Sequence, residues 1–304
     1  MSIKIQAFDA NGDGAGLDFS KYFAKFDANF ERGGFGFFSD DPTDLGGDQY
    51  ALSSSSDQSL PIDGGVSVIA DSGKKGDFAY DFATHTVQGT LDGAEFGTGL
   101  SYDAATDDFS NDPDVIISGL GLSSDDGDDF DDIFNGLLNG DSGPIRDVFE
   151  DQKIVFNGSS GKDKFTAFDG PAKLVGADGN DKLTGGDGKD TLNGGTGNDT
   201  LAGGDGADKI TGGVGNDKLS GGDGNDTFVF GKEFGSDHIK DFDAGLAKTD
   251  VISFSHKVFA DYDDVLAHAK DVGDNVVIKI DGQEKLTLDG VHLADLNAND
   301  FLFT

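Results

Sequence analysis

Seven aspartates between residues 163 and 226 recur in phase, and their spacing carries the strongest chemical signal in the chain. Asp163, Asp181, Asp190, Asp199, Asp208, Asp217 and Asp226 each hold the sixth place of a nine-residue frame, Gly-Gly-x-Gly-x-Asp-x-(apolar)-x. In register the frame reads GSSGKDKFT (158–166), AFDGPAKLV (167–175), GADGNDKLT (176–184) and GGDGKDTLN (185–193). It continues as GGTGNDTLA (194–202), GGDGADKIT (203–211), GGVGNDKLS (212–220) and GGDGNDTFV (221–229). A carboxylate is a hard oxygen donor, and calcium takes six to eight oxygens from carboxylates and backbone carbonyls in a forgiving geometry. A glycine-rich turn with open carbonyls and one aspartate is half of such a cage, and a second turn stacked on it supplies the other half. The expected metal ligands are therefore the seven aspartates together with the turn glycines Gly161, Gly179, Gly188, Gly197, Gly206, Gly215 and Gly224.

A fixed short period sets the architecture before local propensity does. The single apolar residue of each repeat (Phe165, Leu174, Leu183, Leu192, Leu201, Ile210, Leu219, Phe228) calls for a short strand with that side chain turned inward. The glycines supply positive φ and let turns stack closely. The pattern resembles the RTX calcium-binding β-roll, a right-handed parallel coil in which two nonapeptides make one full turn. The resemblance implies ions between repeat n and repeat n+2, in two rows. One row would use Asp163, Asp181, Asp199 and Asp217, the other Asp190, Asp208 and Asp226. About five or six calcium ions follow from pairing such turns into six-to-eight-oxygen cages. The second repeat departs from the frame, with Pro171 and with Ala172 where the aspartate belongs. A disordered acidic linker would share this composition but not its phase.

The whole chain has 304 residues, 22 Lys+Arg against 58 Asp+Glu, and a formal charge of −36. Such a polyanion is a poor partner for nucleic acid or anionic membranes. It suits a medium rich in divalent cations, where metal-binding free energy becomes folding free energy. There is no cysteine, so disulfides play no role. The N-terminal MSIKIQAFDANGDG carries no apolar h-region, and no apolar run reaches membrane-spanning length. The expectation is an extracellular or cell-surface protein exported without a secretory signal peptide, in keeping with the type I secretion that the RTX resemblance implies.

Before the repeats, IKIQAF (3–8) alternates like a strand and leads into Asp9, Asn11 and Asp13, oxygen donors spaced as in the first half of an EF-hand-type loop. The loop then departs, with Gly16 at its eighth place and Ser20 at its twelfth; an ordinary polar turn is the alternative. Residues 17–30 put Phe19, Tyr22, Phe23, Phe26 and Phe30 on one helical face, as core packing under a sheet would require. The loop 31–47 carries Phe35, Phe37 and Phe38 between glycines. Strand-like runs follow at 49–53, 66–70, 78–82, 84–97 and 115–120, with helices through 133–138 and after Pro144.

GDQYALSSSSDQ (47–58), FAYDFATHTVQGTLDGAEFGTGL (78–100) and the blocks within 120–145 resemble the secreted HasA-type haemophores. The resemblance implies a haem carrier that takes haem from haem proteins and hands it to an outer-membrane haem receptor. It implies Tyr80 as the haem-iron ligand and His85 as acceptor of the phenol's hydrogen bond. Phenolate suits ferric iron, and an adjacent imidazole assists a phenol that otherwise ionises near pH ~10. The second axial histidine of many haemophores has no counterpart before His85, and Phe35, Phe37 or Phe38 would stack on the porphyrin instead.

After the repeats, 230–255 reads as short strands, 262–270 as a short helix and 275–288 as a hairpin around Asp281-Gly282. This end resembles the cap and C-terminal secretion region that follow β-rolls. The expected organisation is an α+β domain over 1–155 (antiparallel sheet, helices on one face), an all-β right-handed parallel roll over 156–230, and a small β-rich cap over 231–304. Neither HExxH nor Gly-x-Ser-x-Gly occurs, so no enzyme is expected. The alternative to a haem carrier is a calcium-dependent structural or adhesive surface protein, self-associating through roll edges and the Phe-rich loop.

Overall fold

The computed structural model describes residues 2–7, 149, 152–245, 250–280, 282 and 284–304, together with the strands that lie between 37 and 123. The chain divides into two compact units; among the described residues, those up to 152 belong to the first and those from 153 to the second.

The first unit is built on antiparallel pairing. Its strands are β1 (Ser2–Ala7), β2 (Phe37–Phe38), β3 (Gly46–Gly47), β4 (Gln49–Ser53), β5 (Ile62–Asp71), β6 (Phe78–Asp81), β7 (Thr86–Gln88), β8 (Thr90–Asp103) and β9 (Asp108–Ser123). One sheet has the order β2-β4-β5-β8-β9-β1, and a smaller one has β3-β6-β7. The alternation in IKIQA works as two-residue periodicity requires: Ile3, Ile5 and Ala7 are buried and Lys4 is exposed. Ile5 pairs with the buried Ile117 of β9. Phe37 and Phe38, expected in a loop, form a short strand against Ala51 and Tyr50. Apart from Phe149 in a turn and Gln152 in a bend, the described residues of this unit lie in strands. The helices expected at 17–30 and 133–138, and the one expected beyond Pro144 save for those two residues, lie outside the described residues.

The second unit is the parallel coil that the period demands. Its strands are β10 (Lys153–Asn157), β11 (Lys164–Thr166), β12 (Ala172–Asp178), β13 (Lys182–Asp187), β14 (Thr191–Thr196), β15 (Thr200–Gly206), β16 (Lys209–Val214), β17 (Lys218–Gly224) and β18 (Thr227–Phe230). The remainder are β19 (Ser236–Ile239), β20 (Val251–Phe254), helix α1 (Tyr262–His268), β21 (Ala269–Val272), β22 (Asn275–Lys279), β23 (Lys285–Leu288) and β24 (Phe301–Phe303). Even-numbered strands β10 to β20 stack in parallel and end on β24, while odd-numbered strands β11 to β19 do the same and end on β23. Each repeat therefore pairs with the repeat two places on, in register at eighteen residues: Leu183 faces Leu201 and Leu192 faces Ile210.

The core between the two sheets is one apolar ladder per sheet. Phe156, Leu174, Leu192, Ile210, Phe228, Ile252 and Phe301 line one; Phe165, Leu183, Leu201, Leu219, Ile239 and Leu288 line the other, all buried. Aromatics close the ends. Phe156 stacks on Phe165 at 4.3 Å where the coil begins. At the far end Phe254 meets Phe230, Phe259 and Phe301. This supplies the apolar cover that a stack of turns needs at its terminus. Helix α1 is capped by the Asp261 side chain, which accepts from the Asp264 N–H, and turns Val265 inward. The expected hairpin forms between β22 and β23.

Candidate calcium rows and the tyrosine strand

Coiling at eighteen residues per turn stacks every second aspartate, and each one is tied to its neighbour by its own backbone. The Asp163 N–H donates to Asp181 Oδ1 at 2.8 Å, Asp181 to Asp199 at 2.8 Å, and Asp199 to Asp217 at 2.8 Å. On the other side Ala172 donates to Asp190 at 2.7 Å, Asp190 to Asp208 at 2.8 Å and Asp208 to Asp226 at 2.9 Å. The aspartates thus stand in two series eighteen residues apart, the grouping that the RTX resemblance implied for them. Missing its carboxylate, Ala172 still keeps the backbone half of the ladder.

One oxygen of each carboxylate is thereby satisfied, and the other is not. Oδ2 of Asp181, Asp190, Asp199, Asp208, Asp217 and Asp226 is buried without a hydrogen-bond partner. A buried ionised oxygen left unpaired is costly unless a proton or a cation meets it. Burial accordingly pushes these carboxyls up, Asp181 to about 7 and Asp190 and Asp217 to about 6, against the opposing N–H from the preceding turn. Stacked neighbours add to the rise: Asp199 and Asp163 act on Asp181, and Asp208 acts on Asp190. Asp199, Asp208 and Asp226 are raised for the same leading cause.

The glycine at the start of each turn leaves room beside that oxygen. A Cβ on Gly176 would lie 2.2 Å from Asp181 Oδ2 and 2.5 Å from the Gly194 carbonyl oxygen, and Gly194 repeats this with Asp199 Oδ2 and the Gly212 oxygen. Two hard oxygens, one from a carboxylate and one from the next turn's backbone, thus converge where a side chain is absent. Among the described residues no three Asp, Glu, His or Cys side chains gather into a metal cluster. A cage here must take most of its oxygens from backbone carbonyls, which is what calcium accepts. The residues fit the ion.

Asp163 differs from the other six. The Ser159 N–H donates to its Oδ2 at 2.7 Å and the Ser159 hydroxyl sits 3.1 Å from the same atom, so this carboxylate is already held within its own turn. The turn glycines expected as ligands do stack: the Gly179 carbonyl oxygen lies beneath Gly197, and the Gly188 oxygen beneath Gly206, each 1.5 Å from where a Cβ would stand. Two row members escaped the sequence reading. The Asp217 N–H donates to Asp237 Oδ1 at 2.9 Å, and the Asp226 N–H to Asp250 Oδ1 at 3.0 Å. Their signals are degenerate frames, Gly235-Ser236-Asp237-His238-Ile239 and Asp250-Val251-Ile252, displaced by inserted residues. His238, His256, His268 and His292 form no metal set among the described residues.

In the first unit Tyr80 stands in β6, opposite Val87 of β7, and Asp81 pairs with Thr86. Phe37 is in β2. Phe35, His85, Asp9, Asn11 and Asp13 lie outside the described residues.

Comparison with known proteins draws its boundary inside the second unit. Residues 16–191 match the model of heme-binding protein A (HasA), more than half of the chain. The chain belongs to the HasA family. Residues 193–228 match four copies of the RTX calcium-binding nonapeptide repeat, so this member carries calcium-binding repeats as well. Among solved structures, the holo hemophore HasA from Yersinia pestis is similar, with 25% identity and a TM-score of 0.37, over 48% of this chain and 87% of that one. An apo form of the Yersinia pestis hemophore gives 26% identity, a TM-score of 0.37 and the same two coverages. The extracellular lipase LipA from Serratia marcescens gives 16% identity and a TM-score of 0.26, over 50% of this chain and 40% of that one. No curated protein matches the chain.

Proposed function

We propose that this protein is an extracellular haem carrier whose haem site is centred on Tyr80 and whose C-terminal half is folded by calcium. The observation that carries the reading is the HasA match over 16–191, with Tyr80 on a strand of the matched region. Haem in its ferric form brings a hard iron centre that accepts a phenolate.

The chain's own residues then have distinct tasks. Tyr80 supplies the oxygen ligand. His85 is five residues after Tyr80 in sequence and directly precedes Thr86. Its imidazole takes the phenol proton, which lets a group that ordinarily ionises near pH ~10 act as phenolate at neutrality. Phe35 and Phe37 cover the porphyrin face. No further protein ligand to iron is assigned. The Asp9–Asp13 loop is a candidate for one additional ion.

The ligand set of the rows is the buried Oδ2 atoms with turn carbonyls, holding about five or six ions between nonapeptide turns, as six-to-eight-oxygen cages allow. Organisation into a haem domain (1–155), a roll (156–230) and a cap with secretion region (231–304) accompanies this reading, as do export by type I machinery without a cleaved signal and delivery to an outer-membrane receptor. A carrier of this kind has no catalytic step.

The test is a haemin titration of the full chain in millimolar calcium, wild type beside Tyr80→Phe, followed by visible absorption. Stoichiometric binding with a phenolate charge-transfer band, abolished in Tyr80→Phe, is expected. Equal spectra in both proteins would remove Tyr80 from the site, and no saturable binding would remove the carrier function.

A further inference from the structure

The ladder that links the aspartates does not stop with the last nonapeptide. Residues 232–237, Lys-Glu-Phe-Gly-Ser-Asp, retain little of the repeat's sequence beyond Gly235 and Asp237. Their backbone nevertheless follows the repeat. In turn 212–217 the second and fourth residues, Gly213 and Gly215, have φ of 109° and 152°. In turn 232–237 the corresponding residues, Glu233 and Gly235, have φ of 64° and 84°. A glutamate in the left-handed region carries a steric cost that glycine does not. Something must hold the turn in that shape.

Several stacking contacts of the repeats are also present. Gly215 N–H donates to the Phe234 carbonyl at 3.3 Å, as Gly197 N–H does to Val214 at 2.8 Å. The Ser236 N–H donates to Asn216 Oδ1 at 3.1 Å, extending the contacts Asn198 to Asn180 and Asn216 to Asn198. Gly235 bridges Gly215, and a Cβ on it would stand 1.9 Å from the Gly215 carbonyl oxygen. Most tellingly, Asp237 is fully buried, and its Oδ2 has no hydrogen-bond partner. Asp217 and Asp199 of the stacked turns, and Glu284 just before the strand that pairs Lys285 with Ser236, put further negative charge near it.

We propose that turn 232–237 is a further cation-holding turn and that a calcium ion lies between it and turn 212–217, with Asp237 Oδ2 as a ligand. This rests on the calcium reading of the repeats and extends it beyond them, into the segment that caps the roll. The other row ends differently. Asp250 accepts from Asp226 N–H at 3.0 Å through Oδ1 and from Asp243 N–H at 3.0 Å through Oδ2, so both of its oxygens are occupied by the protein. Asp241 likewise takes the N–H groups of Gly221 and Gly222. The row of Asp190, Asp208 and Asp226 is closed by protein hydrogen bonds; the row of Asp181, Asp199 and Asp217 is closed by a cation.

Equilibrium dialysis of the full chain against radioactive calcium, for wild type, Asp237→Asn and Asp250→Asn, tests this. Asparagine keeps an Oδ1 for the Asp217 N–H and replaces only Oδ2. Asp237→Asn should bind one ion fewer than wild type, and Asp250→Asn the same number as wild type. An unchanged count in Asp237→Asn overturns the proposal while leaving the calcium repeats intact. No uptake by wild type would overturn the calcium reading itself, and this site with it. Should Asp237→Asn lose every ion, the anomalous difference map of calcium-loaded wild-type crystals decides. A peak between turns 212–217 and 232–237 supports the site; peaks confined to the nonapeptide turns overturn it.

Discussion

Ala177 holds the second place of its turn with φ of 78°, where Gly195, in register above it, has 109°. Replacing Ala177 by glycine should therefore stabilise the roll. An L-residue in the left-handed region costs about 1–2 kcal/mol, and glycine returns about 0.4–1 kcal/mol of that through its freer unfolded chain. The net gain is about 0.5–1 kcal/mol, which for a domain of this size raises Tm by roughly 1–4 °C. The reverse change at the next turn is the control. A Cβ on Gly195 would stand 2.0 Å from the Ala177 carbonyl oxygen. Gly195→Ala then adds an overpacking cost of about 1–3 kcal/mol to the conformational cost of about 1–2 kcal/mol, and Tm should fall by roughly 5 °C or more. Thermal unfolding in saturating calcium, followed by far-ultraviolet circular dichroism, reads both. A lower Tm for Ala177→Gly, or a wild-type Tm for Gly195→Ala, would refute the claim that turn conformation and close stacking select glycine here.

Two further outcomes follow from the raised carboxyls. Asp181 at about 7, Asp237 at about 8, and Asp190, Asp217 and Asp250 at about 6 all lie above the ordinary aspartate value, with burial the leading cause. In the calcium-free protein the folded roll then binds more protons than the unfolded chain. Its stability is fully present below about pH 4 and is lost as pH rises through about 6 to 8; denaturant titrations in chelator at pH 5.5 and 8 should show the roll weaker at pH 8. Calcium must displace those protons, so its apparent affinity should rise over the same interval, and a pH-independent calcium isotherm would contradict the assignment.

How much could be read from the sequence depended on whether a feature was written in composition or only in backbone. The nine-residue period gave the strands and the inward Leu and Ile ladders, because each depends on residue type at a fixed spacing, and the RTX resemblance implied the grouping of the aspartates into two rows. Asp237 and Asp250 were hidden because inserted residues stretch the row spacing from eighteen to twenty and twenty-four. The special position of Asp163 depends on Ser159 folding back onto it, a contact that a repeat frame does not encode. The strain at Ala177 and Glu233 is a property of φ, which Glu233 in particular conceals by lacking a glycine's signature. In the first unit the strand-like runs located β1 and β4 closely and only the second half of β5. The glycines around Phe37 and Phe38 read as a loop, yet pairing with Ala51 and Tyr50 supplies what local propensity lacks. The last hairpin was legible from the Asp-Gly pair that separates its two apolar runs in sequence.

The dependence of the roll on calcium is tested most directly by titrating calcium into the chelated full chain at pH 7.5 while recording both far-ultraviolet circular dichroism and ions bound. The buried, unpartnered oxygens of the two rows require β structure to appear together with ion uptake, in one cooperative transition over the same calcium range. Full β signal in chelator at this pH, unchanged as calcium is added, would contradict the account.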